Sequence, residues 1–471
     1  MEPENEVIDV DYLVIGAGAV GMAFTDTILA ETTATVALVD RYSRPGGHWN
    51  RAYPFVRLHQ PSAFYGVNSL ALGSGGVDTV GGNAGLQELA SGPEVVSYFD
   101  QVLREEFLPT GRVHFLAGHD HTGQDVVSLE DGTRRSVRAT KTVDARHSEV
   151  TVPSMRPPGY DVAEGVRSVA PNDLPTVADH ASRFVVIGAG KTGVDACLWL
   201  LDAGVDPDAV RWVVPRDSWF LDRRTIQPVE GSFECTVGGY AAQLEASATA
   251  TSVADLFHRL ERAGQLLRLD PDVTPTMYRC ATVTVHELDQ LRTITGVVRS
   301  GHVRSIGLES IELDDGVIPT SPDVVHIDCT ADGFRRRPAV PIFAGNTLTL
   351  QSVRTCQQVF SAALVAFVEA TYDDDDATKN ELCTVIPSPD SDIDWLRTTL
   401  VNTESTVRWG REPGITSWLE GARLNSVKTG LTGPPTPEQI GILKTIIRHM
   451  PGAITNLRTL LADTSADPGG L

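Results

Sequence analysis

The stretch that decides the fold is Tyr12-Leu13-Val14-Ile15-Gly16-Ala17-Gly18-Ala19-Val20-Gly21. Its first four residues form an apolar run of the kind that makes a buried parallel strand. Gly16, Gly18 and Gly21 then stand at G-x-G-x-x-G spacing. In that motif the first glycine permits a tight turn, the second leaves room for a pyrophosphate, and the third lets helix and strand pack closely. A helical stretch follows from Met22 to Glu31, then a second apolar strand, Val36-Ala37-Leu38-Val39-Asp40. Strand, glycine turn, helix and strand make a βαβ unit, whose helix N-terminus offers backbone donors to phosphate. Asp40, at the tip of the second strand, is placed to accept the ribose hydroxyls of an adenosine.

The pattern returns. Phe184-Val185-Val186-Ile187 runs into Gly188, Gly190 and Gly193 at the same spacing. A helical stretch from Val194 to Leu201 and a strand from Arg211 to Pro215 follow. No carboxylate ends this strand; the chain continues Pro215-Arg216-Asp217. Arg216 can pair with a 2′-phosphate, which favours NADP over NAD, while Asp217 beside it opposes that pairing. Lys191 and Thr192, on the turn itself, are within reach of phosphate.

Each unit trails a partner of a second kind. Val127-Ser-Leu-Glu-Asp-Gly132 precedes Thr142-Val-Asp-Ala145, and Ile311-Glu-Leu-Asp-Asp-Gly316 precedes His326-Ile-Asp-Cys329. Asp-Gly between extended runs signals a hairpin. The expected fold is therefore α/β: two Rossmann-like dinucleotide-binding domains, each with a β-meander, plus a helical C-terminal appendage. The expected divisions are 1–178, 179–325 with an Ala-rich helical insertion near 238–268, 326–372 returning to the first domain, and 373–471 as the appendage. The Pro- and Gly-containing stretch from Val152 to Leu174 reads as a linker, Thr355 to Glu369 as a helix, Asp373 to Asp376 as a solvated loop, and Ala466 to Leu471 as a frayed end.

Composition narrows the function. The chain has 471 residues, 39 Lys and Arg against 61 Asp and Glu, and a net charge of −22. Such a surface repels phosphate backbones and anionic lipid, so neither nucleic acid nor membrane is an expected partner. The six cysteines are dispersed without a CxxC pair, which supports neither a zinc knuckle nor a redox disulfide; they read as buried thiols of a reducing compartment. His119 and His121 lack a third ligand at suitable spacing, so no metal is expected. The acidic N-terminus does not read as a signal peptide, and no apolar run reaches the ~18 residues of a membrane span. The expectation is a cytoplasmic protein acting on a small molecule, with homo-oligomerisation left open. Trp199, Trp212 and Cys197 read as core. Trp219, Asp222, Arg223 and Arg224 are placed to touch nucleotide, substrate or only the surface, and Arg335 to Arg337 to pair with surface carboxylates.

Two nucleotide sites in one chain suggest FAD with a nicotinamide nucleotide. Asp40-Arg41-Tyr-Ser-Arg-Pro-Gly46-Gly47-His48-Trp49 resembles the acidic-x5-Gly-Gly-x-Trp segment of the flavin-containing monooxygenases and their Baeyer–Villiger and N-hydroxylating relatives. The resemblance, over roughly residues 10 to 370, implies that Asp40, with Arg41, holds the FAD adenosine. It implies that Gly46, Gly47, His48 and Trp49 line the ribityl and ring portion. It implies NADPH on the second domain, near Arg216. Asp328-Cys-Thr-Ala-Asp332-Gly-Phe334 is similar to the family's return segment, which brings Asp332 toward the cofactor. Leu350-Gln351-Ser352-Val353 matches the approach to a helix whose N-terminus faces the flavin pyrimidine ring in such proteins, so Gln351 and Ser352 are expected there.

The loop Arg57-Leu-His59-Gln60-Pro-Ser62 lies where family members carry an Asn-bearing loop near the flavin. Gln60 is the expected donor to a flavin hydroperoxide, and His59 the expected acid or base. One departure stands out. Ala163-Glu-Gly-Val-Arg-Ser-Val-Ala-Pro171 lacks the histidine of the family's Phe-x-Gly-x3-His linker, which bears on oxygenation more than on the cofactors. The function expected is NADPH reduction of FAD, then oxygen transfer from a C4a-hydroperoxide to a small organic substrate. The alternatives are an NAD(P)H-flavin oxidase or reductase on the same scaffold, and a flavin-binding protein without turnover.

Overall fold

In the computed structural model, which describes residues 7–123, 125–228, 231–373, 375–427 and 433–466, both predicted βαβ units form. The first is β1 (Ile8–Ile15), α1 (Ala19–Glu31) and β2 (Val36–Asp40). After a long segment with little regular structure come α2 (Gly92–Gln101) and β3 (Val113–Ala117), then the meander β4 (His119–Thr122), β5 (Asp125–Ser128) and β6 (Arg134–Asp144). β1 and β2 pair in parallel with Tyr12 opposite Val36, and every residue of β2 is buried. This is why both strands read as continuous apolar runs rather than as alternating ones.

The second unit follows β7 (Asp161–Val162), β8 (Arg167–Val169) and the short α3 (Leu174–Val177). It comprises β9 (Phe184–Ile187), α4 (Lys191–Asp202) and β10 (Val210–Val213). β11 (Ser218–Asp222), α5 (Phe233–Thr249), α6 (Val253–Arg262), β12 (Leu266–Leu267), β13 (Met277–Val283) and α7 (Val285–Leu291) come next. β14 (Gly296–Val298), the hairpin strands β15 (Val303–Ile306), β16 (Ser310–Leu313) and β17 (Gly316–Pro319), and β18 (Val325–Asp328) complete the domain. The chain then returns through β19 (Phe343–Ala344) and β20 (Thr347–Thr349) to α8 (Gln358–Thr371). It ends in α9 (Asp376–Leu382), α10 (Asp392–Trp409), α11 (Pro413–Gly421) and α12 (Pro437–Ala466).

The first sheet runs β19-β20-β6-β1-β2-β3, with β5 and β4 attached through β6. The second runs β14-β10-β9-β18-β8, all parallel. A separate sheet, β17-β16-β15-β7, carries the second meander, and β12-β11-β13 forms a further three-stranded sheet. The stretch read as a linker is thus partly structured. β8 extends the second Rossmann sheet beside β18, and β7 pairs with β15. Strands of two or three residues are too short to show a period. The N-terminal six residues, position 374 of the acidic run and the expected frayed end from 467 lie outside the described residues. Within that acidic run, Asp375 accepts from Thr378 N at 2.8 Å and caps α9.

One core joins α1, α8 and the first sheet; eleven consecutive residues of α8, Val359 to Glu369, are buried. A second lies under α4 around Trp212, whose Nε1 donates to Gly188 O at 2.9 Å. A third joins α6, β11, β13, α10 and α12, so the insertion and the appendage share one interior. Among the described residues no helix is long and apolar enough to cross a membrane. Cys280 on β13 and Cys356 before α8 form a disulfide with a Cα–Cα distance of 6.5 Å, and Cys235 is exposed. This corrects the reading of all six as buried thiols. The bonded pair is 76 residues apart in sequence, beyond what local spacing reveals.

The two fingerprints close in the same way. A Cβ on Gly21 would lie 1.9 Å from Gly16 O, and one on Gly193 would lie 2.0 Å from Gly188 O. A Cβ on Gly190 would meet nothing within 4 Å. Gly21→Ala and Gly193→Ala are therefore expected to destabilise the protein by about 1–3 kcal/mol or more through overpacking against backbone. Gly190→Ala should stay within about 0.5 kcal/mol of the parent. Urea denaturation of the three variants checks this; equal midpoints would refute it.

Candidate functional site

The first glycine turn opens on a cleft of about 470 Å³. Gly16 bends the chain at φ 108°, and Gly18 sits at the N-cap of α1. Gly46 and Gly47 dock onto this turn: Gly46 N donates to Ala17 O at 2.9 Å, and a Cβ on Gly47 would lie 3.0 Å from Gly18 Cα. Their positive φ values, 112° and 55°, suit glycine alone at low cost. The acidic-to-glycine segment and the glycine turn are thus one surface, with bare backbone facing the cleft.

Asp40 lines the cleft and also braces it. One carboxylate oxygen accepts from Ala17 N at 2.6 Å and the other from Tyr42 N at 2.8 Å. Burial raises its pKa, and those two N–H donors oppose the rise. Arg41 lines the cleft from an exposed position, 3.4 Å from Asp120. His48 lines it too, stacked on Trp49 with centroids 5.3 Å apart. Trp49 stands behind: its Nε1 donates to Tyr65 Oη at 2.7 Å, and Tyr65 faces the cleft. At the far end Gln358 and Val359, in the first turn of α8, close the wall.

Gln351 and Ser352 lie elsewhere. Gln351 is buried against the 340 loop, accepting from Val340 N at 3.2 Å and donating to Val340 O at 2.8 Å. Ser352 O accepts from Ile386 N at 2.7 Å. The helix begins at Gln358, three residues later than Thr355, so its open end belongs to other residues than the motif match suggested. Asp332 is exposed, pairs with Arg279 at 3.1 Å and does not line the cleft. Arg146, Phe334 and Arg337 line the cleft and were not singled out as cofactor ligands. Arg146 directly follows the Thr142-Val-Asp-Ala145 return strand, and that position was the available signal.

The second fingerprint has the same geometry, with Gly188 at φ 119° and Gly190 capping α4. Lys191 forms an ion pair with Asp195, which also accepts from Tyr53 Oη at 2.5 Å. Thr192 follows on the first turn of α4, half-buried. Arg216 donates to Asp390 Oδ2 at 3.0 Å and to Thr276 O at 2.8 Å. Arg279 and Arg336 reach the same Asp390 at 2.6 and 2.8 Å. Burial alone would raise the Asp390 carboxyl, yet the hydrogen bonds from Arg216 and Arg279 hold it at about 2. Asp217 is committed to Arg299, at 2.8 and 3.1 Å. Arg223 is buried and fully occupied by Glu287, Asn83 Oδ1, Thr282 O and His59 O, so it ties the two domains rather than facing a ligand.

A second cavity of about 240 Å³ lies beyond the cleft. The two share walls. Tyr65 faces the cleft while Phe64 and Gln60 face the cavity; Gln358 faces the cleft while Gln357 faces the cavity. The structure therefore separates Gln60 from His59. His59 lines neither space, its Nδ1 is buried without a partner, and its carbonyl holds Arg223. Burial, with the Lys191 and Arg223 charges, pushes the His59 imidazole down to about 3. That corrects its reading as an acid or base near neutral pH.

Burial also pushes His48 down, to about 4. Both rings are neutral in the folded protein, whereas the unfolded chain takes up protons at the ordinary value of 6.5. Their contribution to stability is whole above pH 6.5 and is lost as pH falls toward 4 and 3. Over pH 6.5 to 4, the urea midpoint of the cofactor-free parent should fall more steeply than that of His48→Asn/His59→Asn. Parallel slopes would refute it.

No protein-family model matches the chain. Two solved structures resemble it in fold. One is the closed form of cyclohexanone monooxygenase, 14% identical, covering 98% of each chain with a TM-score of 0.47. The other is the bacillithiol disulfide reductase Bdr of Bacillus cereus, 12% identical, covering 77% of this chain and 99% of that one with a TM-score of 0.46. Uncharacterized proteins of Mycobacterium tuberculosis H37Rv and of Mycobacterium bovis are each 54% identical over 421 residues, 89% of this chain and 78% of theirs. The chain belongs to one family with these mycobacterial proteins, and its fold carries two mainly parallel sheets, each with a glycine turn of the dinucleotide-binding kind.

Proposed function

We propose that the protein is an FAD-dependent, NADPH-using oxidoreductase, and within that class a monooxygenase of a small organic substrate. The observation that carries the reading is the duplicated glycine turn, closed both times by a glycine whose Cβ would strike backbone. The residues fit the cofactors. Gly16, Gly18 and Gly47 leave bare backbone for a pyrophosphate, Asp40 and Arg41 stand at the adenosine end, and Gln358 begins the helix at the flavin end. Gly188, Gly190, Lys191 and Thr192 would hold the nicotinamide nucleotide. FAD, when bound, supplies hydride acceptance and reaction with oxygen.

The chain's own residues do the rest. Neutral His48, stacked on Trp49, and Tyr65, set edge-on to the same Trp49, line the cleft with uncharged rings that exclude water. Gln60 is the amide donor we assign to the substrate side, because it lines the second cavity. Three arginines gather on Asp390 and two of them near Asp332, three positive charges against two negative. That surplus beside the tip of β10 supports a 2′-phosphate, and hence NADPH. The Gly-Gly-x-Trp resemblance supports oxygenation.

The test is anaerobic mixing of the FAD-loaded protein with NADPH, followed by flavin absorbance and then by admitting oxygen. Bleaching by NADPH is expected. Oxygen uptake should exceed hydrogen peroxide release once a substrate is present. Stoichiometric peroxide with every substrate would favour an oxidase, and no bleaching by NADPH or NADH would refute the oxidoreductase reading. Arg216→Ala should raise the KM for NADPH about tenfold to a hundredfold, as loss of a charge-assisted hydrogen bond does, and leave that for NADH unchanged. Steady-state kinetics with both nucleotides decides it.

A further inference from the structure

The second cavity carries more than its position. Its walls come from five places: the 60–64 loop, the insertion helices α5 and α6 with the adjoining strands, the 354–357 segment, α10, and Ser426 with Val427. Its lining is rich in hydroxyls and amides and, among the described residues, contains one charged side chain, Arg354. Arg354 is 6% exposed, in a chain whose net charge is −22.

That guanidinium has no carboxylate partner among the described residues. Of its five N–H donors, one has an acceptor among the described residues: Nη1 donates to Asn425 Oδ1 at 2.7 Å. Its Cζ lies 3.7 Å from the Phe360 ring centroid and 5.1 Å from that of Trp409, so its plane is fixed by aromatic packing rather than by an anion. Burial without a counter-charge pushes its pKa down to about 9. A buried charge left unpaired costs several kcal/mol, which a ligand of opposite charge would offset. Around it, Thr355 Oγ1, Gln357 Oε1 and Asn402 Oδ1 are buried without any hydrogen-bond partner, and all three residues line the cavity. Buried polar atoms in folded proteins are rarely left so, and three in one cavity mark where a partner sits.

We infer that this cavity binds a small organic monocarboxylate bearing hydroxyl or amino donors, with the carboxylate on Arg354 and the donors on Gln357 and Asn402. The planar guanidinium fork suits a carboxylate. A single cation balances a single charge, whereas a phosphate monoester brings about −1.5 to −2. At about 240 Å³ the cavity falls below the ~300–1,000 Å³ of drug-sized sites, which fits a metabolite-sized acid and excludes a dinucleotide. The shared walls put this ligand next to the flavin end of the cleft. Calling it the substrate rests on the oxidoreductase reading; its binding does not.

The test is isothermal calorimetry on the FAD-loaded protein, with no NADPH and no turnover. The probes are 4-hydroxyphenylacetate, its neutral isostere 4-hydroxyphenylacetamide, and 4-hydroxyphenyl phosphate. The acid should bind at least tenfold more tightly than the amide and than the phosphate. Arg354→Met should remove that preference while leaving amide binding unchanged. Should Arg354→Met fail to fold, Asn402→Ala carries the test: acid binding should weaken several-fold with flavin content intact. Equal affinity for acid and amide, no binding of the acid, or unchanged binding in both variants would overturn the inference. So would displacement of the acid by saturating NADPH, which would give Arg354 to the nucleotide. Because bleaching by NADPH is not the readout, carboxylate binding can stand where the redox reading fails, and the reverse.

Discussion

Everything in this protein hangs on how closely a helix may start beside the strand that precedes it. At Gly21 the space for a Cβ is already taken by Gly16 O, 1.9 Å away, and at Gly193 by Gly188 O, 2.0 Å away. Only glycine lets α1 and α4 begin there, and only from there do their first-turn N–H groups point at the mouth of the parallel sheet. The strands follow from this. With a helix held against the sheet, the central strands are covered on both faces, and they read as apolar runs, Val36-Ala-Leu-Val39 in β2 and Phe184-Val-Val-Ile187 in β9. The cleft is then the gap left beyond the strand tips, where Asp40 is held by Ala17 N, a donor of the turn itself.

Two such domains need a fixed relation, and polar side chains supply it. Tyr53 reaches from the first domain to Asp195 on α4. Arg223 spans from Glu287 and Thr282 in the second domain to Asn83 and the His59 carbonyl in the first. The Cys280–Cys356 disulfide joins β13 to the segment before α8. These contacts are directional, so they hold orientation as well as proximity. Buried polar groups cost free energy unless every partner is in place, and that penalty selects one docking of the domains over its neighbours.

The parts of this design visible in the sequence are those with a period or a fixed spacing. Tyr12 to Asp40 could be read because a buried strand, a G-x-G-x-x-G turn and a helix each leave a local signature, and the second copy repeats it. The Asp131-Gly132 and Asp315-Gly316 turns were legible for the same reason. What lacks a local signature was missed. β7 and β8 hold five residues between them and owe their pairing to partners more than a hundred residues away. Cys280 and Cys356 look isolated because their proximity is tertiary. Gln351 matched a motif, yet its amide serves the 340 loop, since one turn of chain decides whether a residue faces the cleft or the core. Arg354, three residues on, has no motif at all; the lack of a carboxylate partner among the described residues is what makes it informative.

The insertion and the appendage have to be read together. Taken singly, α5 and α6 are an Ala-rich excursion and α10 to α12 a helical tail. Together they share a core in which Phe257 of α6 meets Trp219 at 5.4 Å and Trp395 of α10 at 5.6 Å, ring centroid to centroid. That shared core holds both elements over the place where the 60–65 and 354–359 segments divide the two cavities. A Rossmann pair alone would leave the Gln358 end of its cleft open to water. Here two segments far apart in sequence have become a single roof, and the polar residues on its underside belong to the cavity rather than to the fold. The lining of that cavity is then free to change in α5 or α10 without touching the glycine turns.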